Sequence, residues 1–181
     1  MRITGGQHRS RKLIAPDGNA VRPTSDKVRQ AVFNMLNSRG LVIEANVIDA
    51  FCGTGALGLE ALSQGARFCT FFDSNKKSID LCQSNINALK ENKNSDVIFK
   101  DVTKANLNNG EHASLVFLDP PYHQGLVTKA IYALKDRNWL SPDCIFIIET
   151  AKDEIVNRDL IEIDNEKIYN ETKVTLAKLK N

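Results

Sequence analysis

A chain of 181 residues with 42% hydrophobic content suits one compact domain with a sizeable core and is too short for a second full domain. No apolar stretch approaches the roughly 18 residues of a membrane span, and the polar, basic start lacks the apolar segment of a signal peptide, so the sequence predicts a cytoplasmic protein. The formal net charge is only +2, but it is unevenly spread.

Residues 1–39 hold eight Lys/Arg against Asp17 and Asp26, a net +6, and the remainder carries −4. A cationic segment on a slightly acidic body is the asymmetry expected of a protein that touches polyanions at one end. Gly5, Gly6, Pro16 and Gly18 make this segment turn-rich, with few apolar residues (Ile3, Leu13, Ile14, Val21). We expect residues 1–23 to form a basic hairpin-like flap or extended arm and residues 24–181 the main domain.

The first helix is predicted after Arg22-Pro23, with Thr24 or Ser25 as cap and Val28, Ala31, Val32, Met35 and Leu36 on one face until Gly40. The chain then alternates. Asn46–Phe51 reads as a strand, Ala56–Ser63 as a helix closed by Gly65, Phe68–Phe72 as a strand and Lys77–Glu91 as a helix. Strands recur at Val97–Phe99, Ser114–Leu118 and Cys144–Ile148, with a helix over Val127–Lys135. This alternation predicts an α/β fold, a parallel sheet with helices on both faces. Leu160–Ile163, Lys167–Tyr169 and Val174–Leu179 break the rhythm; the last two, joined by Asn170-Glu171, predict a C-terminal antiparallel hairpin. Cys52, Cys69, Cys82 and Cys144 are widely spaced without a C-x-x-C pair, which predicts reduced, mostly buried thiols and no metal site.

Two motifs carry chemistry. Residues 47–58 place Gly53, Gly55 and Gly58 in a G-x-G-x-x-G spacing after a strand and into a helix, with Asp73 ending the next strand 18 residues after Gly55. That context also fits a dinucleotide site, so an NAD-dependent enzyme is an open alternative. Asp49, however, ends the strand just before the loop, where it would repel a pyrophosphate and attract a cation. S-adenosylmethionine carries an ammonium and a sulfonium. Asp49 can bind the ammonium directly or through water, Asp73 can accept from the ribose hydroxyls, and Asp101, after the third strand, can accept from the adenine amine.

The second motif is Asp119-Pro120-Pro121-Tyr122, at the end of the apolar run Leu115–Leu118. Each proline locks φ near −65° and lacks an N–H, so the carbonyls of Asp119 and Pro120 stand out from a stiff turn as acceptors. An exocyclic amine of a nucleobase is a matching donor. Tyr122 supplies a stacking face worth roughly 1–3 kcal/mol. Ligands of parallel sheets bind outside the carboxyl ends of the strands, which puts both motifs on one rim.

The D-x-F-x-G-x-G and D-P-P-Y pair resembles the class I S-adenosylmethionine-dependent methyltransferases that modify exocyclic amines of nucleobases. The N-terminal Arg2-Ile3-Thr4-Gly5-Gly6, then Arg9 and Arg11-Lys12-Leu13, then the run Arg22 to Leu36, and Ile148-Glu149-Thr150 are similar to the bacterial RsmD family, the 16S rRNA guanine-N2 methyltransferases. The resemblance spans nearly the whole chain and departs from it at Asn170-Glu171, where a glycine turn is expected. It implies a Rossmann-like, mostly parallel seven-stranded sheet and S-adenosylmethionine bound by Asp49, Phe51, Cys52, Gly53, Thr54, Gly55, Asp73 and Asp101. It further implies catalysis at Asp119, Pro120, Pro121 and Tyr122, with the partner being 16S rRNA in the small subunit or an assembly intermediate. Charge and position make Arg2, Arg9, Arg11, Lys12 and Arg22 the candidates for RNA contact. Nothing in the sequence demands more than a monomer. A DNA adenine or cytosine amino-methyltransferase and a non-catalytic ribosome assembly factor are the competing readings.

Overall fold

The computed structural model describes residues 1–15 and 26–180. Seven strands form one sheet: β1 (Asn46–Asp49), β2 (Phe68–Asp73), β3 (Ser95–Phe99), β4 (Ala113–Leu118), β5 (Leu140–Ala151), β6 (Ile161–Tyr169) and β7 (Thr172–Leu179). Their spatial order is β3-β2-β1-β4-β5-β7-β6. The first five run parallel, and β7 inserts antiparallel between β5 and β6. Four helices, α1 (Asp26–Ser38), α2 (Ala56–Ser63), α3 (Lys76–Leu89) and α4 (Leu126–Asp136), pack on the sheet.

Alternation along the strands divides the core between the two faces. Val47, Phe71, Leu115, Phe117, Ile145 and Ile147 meet the apolar stripes of α1, α2 and α3, including Phe33, Leu59 and Ile86. Ile48, Phe72, Val116, Leu118, Phe146 and Ile148 face the other way, against Val127, Ala130, Ile131 and Leu134 of α4. The predicted α/β architecture is therefore present, helices on both faces included.

Several boundaries differ from expectation for physical reasons. The first strand ends at Asp49, two residues before the predicted Phe51, because the chain turns into a glycine loop while Ala50 and Cys52 still donate to the carbonyls of Phe117 and Phe72. Leu160–Ile163 and Lys167–Tyr169, predicted as separate strands, are one continuous β6 with a register irregularity between Ile163 and Asn165. Pairing with the long β7 keeps these polar intervening residues extended. The β6–β7 turn holds Asn170 at φ 56, a left-handed conformation that asparagine tolerates. The predicted caps Thr24 and Ser25 lie outside the described residues.

Residues 1–15 are folded against the body. Arg2 and Lys12 form an antiparallel bridge, Ile3 N–H donates to the Arg11 carbonyl, and Ile3 and Leu13 enter the core on the α1 side. Glu60 of α2, fully buried, accepts from the N–H groups of Thr4 and Gly5, from the Thr4 hydroxyl and from Nε of Arg29. Arg29 is also fully buried and bonds Asp26 and the Arg2 carbonyl, so one of the eight basic residues in the cationic segment is consumed internally.

Candidate functional site

Five adjacent parallel strands end on one rim, and each brings a carboxylate there. In spatial order these are Asp101 just after β3, Asp73 at the end of β2, Asp49 at the end of β1, Asp119 just after β4, and Glu149 near the end of β5. A row of carboxylates suits a cationic, hydroxyl-bearing and amine-bearing ligand set and disfavours a pyrophosphate.

Asp49 is almost sealed from solvent, and its Oδ2 accepts from Gly58 N–H at 2.9 Å. Gly55 starts α2 without a side-chain cap, so Asp49 acts as the missing cap acceptor for the first turn. Burial, more than the neighbouring Asp73 charge, pushes its carboxyl up to about 7, against the lowering effect of the Gly58 bond. Asp73 accepts from Gly53 N–H at 2.9 Å and Asn75 N–H at 2.8 Å, which suspends the glycine loop over the end of β2. Asp101 caps the 3₁₀ turn Val102–Lys104, taking Thr103 N–H and its hydroxyl on Oδ1.

The glycines of the loop differ in what surrounds them. A Cβ on Gly58 would meet the Phe71 ring at 2.3 Å and Cys69 Sγ at 2.5 Å, so Gly58 lets α2 lie close on β2. A Cβ on Gly53 would meet nothing within 4 Å, so that backbone faces open space on the rim. This open cradle beside Asp73 fits a nucleoside whose ribose approaches the loop. Phe51 is half-buried, and Cys52 and Thr54 are buried. The Cys52 thiol bonds to Cys82, and this contact together with burial pushes it well up, as expected of an inert thiol.

On the neighbouring strand Asp119 is half-buried, Pro120 buried, Pro121 exposed and Tyr122 half-buried. The Tyr122 hydroxyl donates to Glu149 Oε1 at 3.3 Å and lies 3.2 Å from Thr172 Oγ1 on β7. Burial is the main cause that pushes the phenol up to about 12, with the Glu149 and Asp119 charges adding to it. The ring is thus pinned by its hydroxyl end. β1 and β4 are hydrogen-bonded neighbours, so the Asp49–Gly58 loop and the D-P-P-Y turn lie side by side.

The basic candidates are not gathered at that turn. Arg2, Arg9, Arg11 and Lys12 are exposed on the N-terminal hairpin, whose tip docks at the far ends of α2 and α3: His8 N–H donates to Ser63 Oγ, and Arg11 donates to the Ala88 carbonyl. From that tip the chain returns toward the rim, where the Ile14 backbone meets the glycine loop through Asn85. Arg22 lies outside the described residues. A cleft of about 430 Å³ lined by Asn46, Phe68, Ala113 and Trp139 opens at the opposite, N-terminal ends of the strands and contains none of the predicted site residues.

The family model described as conserved hypothetical protein 95 matches residues 1–178 of the chain. The chain belongs to this family, the RsmD family. Ribosomal RNA small subunit methyltransferase D of Escherichia coli K12 is 36% identical over 150 residues, covering 83% of this chain and 74% of that protein. The protein of the same name from Haemophilus influenzae is 36% identical over 158 residues, covering 85% and 80%. The solved yhhF protein of Escherichia coli has a TM-score of 0.85 at 32% identity, covering 99% of this chain and 98% of that one. Magnesium protoporphyrin IX methyltransferase from Synechocystis, solved with bound S-adenosylmethionine, shares the fold at a TM-score of 0.64 and 16% identity over 85% of this chain. This member of the RsmD family is therefore a methyltransferase with the class I fold.

Sequence reasoning assigned no role to Glu149, Glu60, Asn85 or Arg29, although Glu149 and Arg29 fall within segments similar to the RsmD family. Glu149 belongs to neither catalytic-domain motif, and only the β4–β5 pairing brings it to Tyr122. Glu60 and Asn85 are ordinary polar residues of helices in sequence, and their burial under the N-terminal hairpin is the signal of their role. The charge of Arg29 offers no hint that it is internal.

Proposed function

We propose that the chain transfers a methyl group from S-adenosylmethionine to the exocyclic N2 amine of a guanine in 16S rRNA, within the small subunit or an assembly intermediate, in the cytoplasm and as a monomer. The observation that carries this reading is the placement of the D-P-P-Y turn beside the acid-flanked glycine loop on adjacent strands, in a chain of the RsmD family.

The cofactor supplies an electrophilic methyl on a sulfonium. In this reading Gly53 gives its nucleoside backbone access, Asp73 accepts from the ribose, Asp101 takes the adenine amine, and Asp49 provides the negative charge for the ammonium. Phe51, Cys52, Thr54 and Gly55 shape the loop. The N2 amine of guanine is a poor nucleophile because its lone pair is delocalised into the ring. Asp119 and the Pro120 carbonyl would take its two N–H bonds, turn the nitrogen toward tetrahedral geometry and aim its lone pair at the methyl. As the N2–methyl bond forms and the sulfur–methyl bond breaks, leaving the neutral thioether, Asp119 would stabilise the positive charge on nitrogen, the N2 proton being lost to Asp119 or to solvent, and Tyr122 would stack on the extruded base. Exposed Arg2, Arg9, Arg11 and Lys12, with Arg22, would grip phosphates of neighbouring nucleotides. Their place on the hairpin, outside the D-P-P-Y turn, suits contacts with nucleotides other than the target.

The test is incubation with tritiated S-adenosylmethionine and small subunits lacking the modification, followed by nucleoside analysis. Label in N2-methylguanosine is expected. Label in duplex DNA adenine or cytosine instead would establish the DNA amino-methyltransferase reading.

A further inference from the structure

Glu149 is only 8% exposed, yet it sits against the turn that would hold the methyl acceptor. Leu118 and Ile148 are in register on β4 and β5, so Asp119 and Glu149 are the next residues on two adjacent parallel strands. Such strands lie about 4.8 Å apart. Glu149 continues the side of the sheet lined by Ile145 and Ile147, toward α1. Its carboxylate touches the Tyr122 hydroxyl, the same hydroxyl that feels the Asp119 charge.

The chemistry of the three amine-bearing bases then separates them. In adenine and cytosine the ring nitrogen beside the exocyclic amine is an acceptor, and a neighbouring carboxylate would repel it. Guanine's amine is flanked by two ring nitrogens, the acceptor N3 and N1–H, a donor that adenine and cytosine lack beside their amines. A pair of carboxylates on neighbouring strands therefore matches the guanine edge and mismatches the other two.

We infer that Glu149 is the specificity-determining residue of the site, its carboxylate accepting N1–H of guanine while Asp119 and the Pro120 carbonyl hold the N2 amine. This rests on the proposed function. A carboxylate has about four lone-pair positions, so Glu149 can accept N1–H of guanine beside the bond from Tyr122 and its other contacts. The hydroxyl bond fixes the Glu149 carboxylate at the edge of the ring on which the base would stack.

The test compares small subunits reconstituted with guanine or with 2-aminopurine at the position the wild-type protein methylates. 2-Aminopurine keeps the C2 amine but carries an acceptor at N1. Wild-type protein should prefer guanine by at least about tenfold in kcat/KM, the discrimination typical of a good polar base contact. Glu149→Gln, whose amide can donate to the N1 acceptor, should narrow or invert that preference, with cofactor affinity and melting temperature close to wild type. Equal wild-type rates on both substrates would overturn the inference, whether or not the variant folds. So would a Glu149→Gln protein that loses activity on both substrates by the same factor. If the wild type forms no N2-methylguanosine at all, the proposed function fails instead.

Discussion

Asn85 of α3 donates through Nδ2 to the Thr54 carbonyl at 2.9 Å, inside the glycine loop. The same amide brackets Ile14, accepting from its N–H at 2.7 Å and donating to its carbonyl at 3.1 Å. One buried side chain thus ties the basic N-terminal hairpin to the loop proposed to hold the cofactor. Asn85→Ala strands these backbone groups and should cost about 1–3 kcal/mol. It should also weaken S-adenosylmethionine binding and speed proteolysis within residues 1–15. Calorimetric titration and limited proteolysis check this; unchanged binding would show that hairpin and loop are uncoupled.

The Arg29–Glu60 pair is buried on both sides, with Nε to Oε2 at 3.1 Å. Glu60→Ala removes the α2 carboxylate that faces this buried cation, together with the acceptor for Thr4 and Gly5. A drop of about 3–5 kcal/mol in stability is expected from breaking a buried ion pair on one side. Denaturant unfolding measures it, and hydrogen exchange at Thr4 and Gly5 should rise in parallel.

Asp49 links pH to both stability and ligand binding. Its carboxyl lies near 3.8 in an unfolded chain and is raised to about 7 by burial in the fold. The native state therefore holds this proton more tightly, and the Asp49 contribution to stability declines as pH rises from about 4 to 7. Binding a cationic ligand requires the carboxylate, so S-adenosylmethionine affinity should increase between about pH 6 and pH 8. Titrations across this range check it, and Asp49→Asn should flatten the profile.

Asp119→Ala should lower the methyl-transfer rate by about 10²–10³-fold, the usual cost of removing one preorganised polar group at a developing charge. Subunit binding should be retained. A variant with full activity would remove Asp119 from the chemistry, and a wild type without activity would favour the assembly-factor reading.

Arg9→Ala, Arg11→Ala and Lys12→Ala should each weaken subunit binding while leaving the rate at saturation near wild type, because they are exposed on the hairpin and belong to neither the glycine loop nor the D-P-P-Y turn. Each substitution that removes a phosphate partner should reduce the log–log salt slope by about 1. Filter binding at several salt concentrations provides the measurement.

The β-α alternation, the glycine loop and the D-P-P-Y turn were legible in the chain because each depends on local chemistry: strand-length apolar runs, glycines at a turn, prolines that lock φ. Asp73 and Asp101 were legible as strand-end carboxylates. The continuity of β6 was not, because its polar middle is held extended by β7, a partner that periodicity does not reveal.

By itself the sequence determined the fold class, the rim on which the motifs lie, and the family to which they belong, since spacing and residue type specify these. Only the tertiary structure decided which charges are internal and which residues meet across distance. It neutralised Arg29 on Glu60, docked the hairpin through Asn85 and set Glu149 beside Tyr122. Those pairs join residues 31, 71 and 27 positions apart, and burial and strand order, which no local pattern encodes, bring them together.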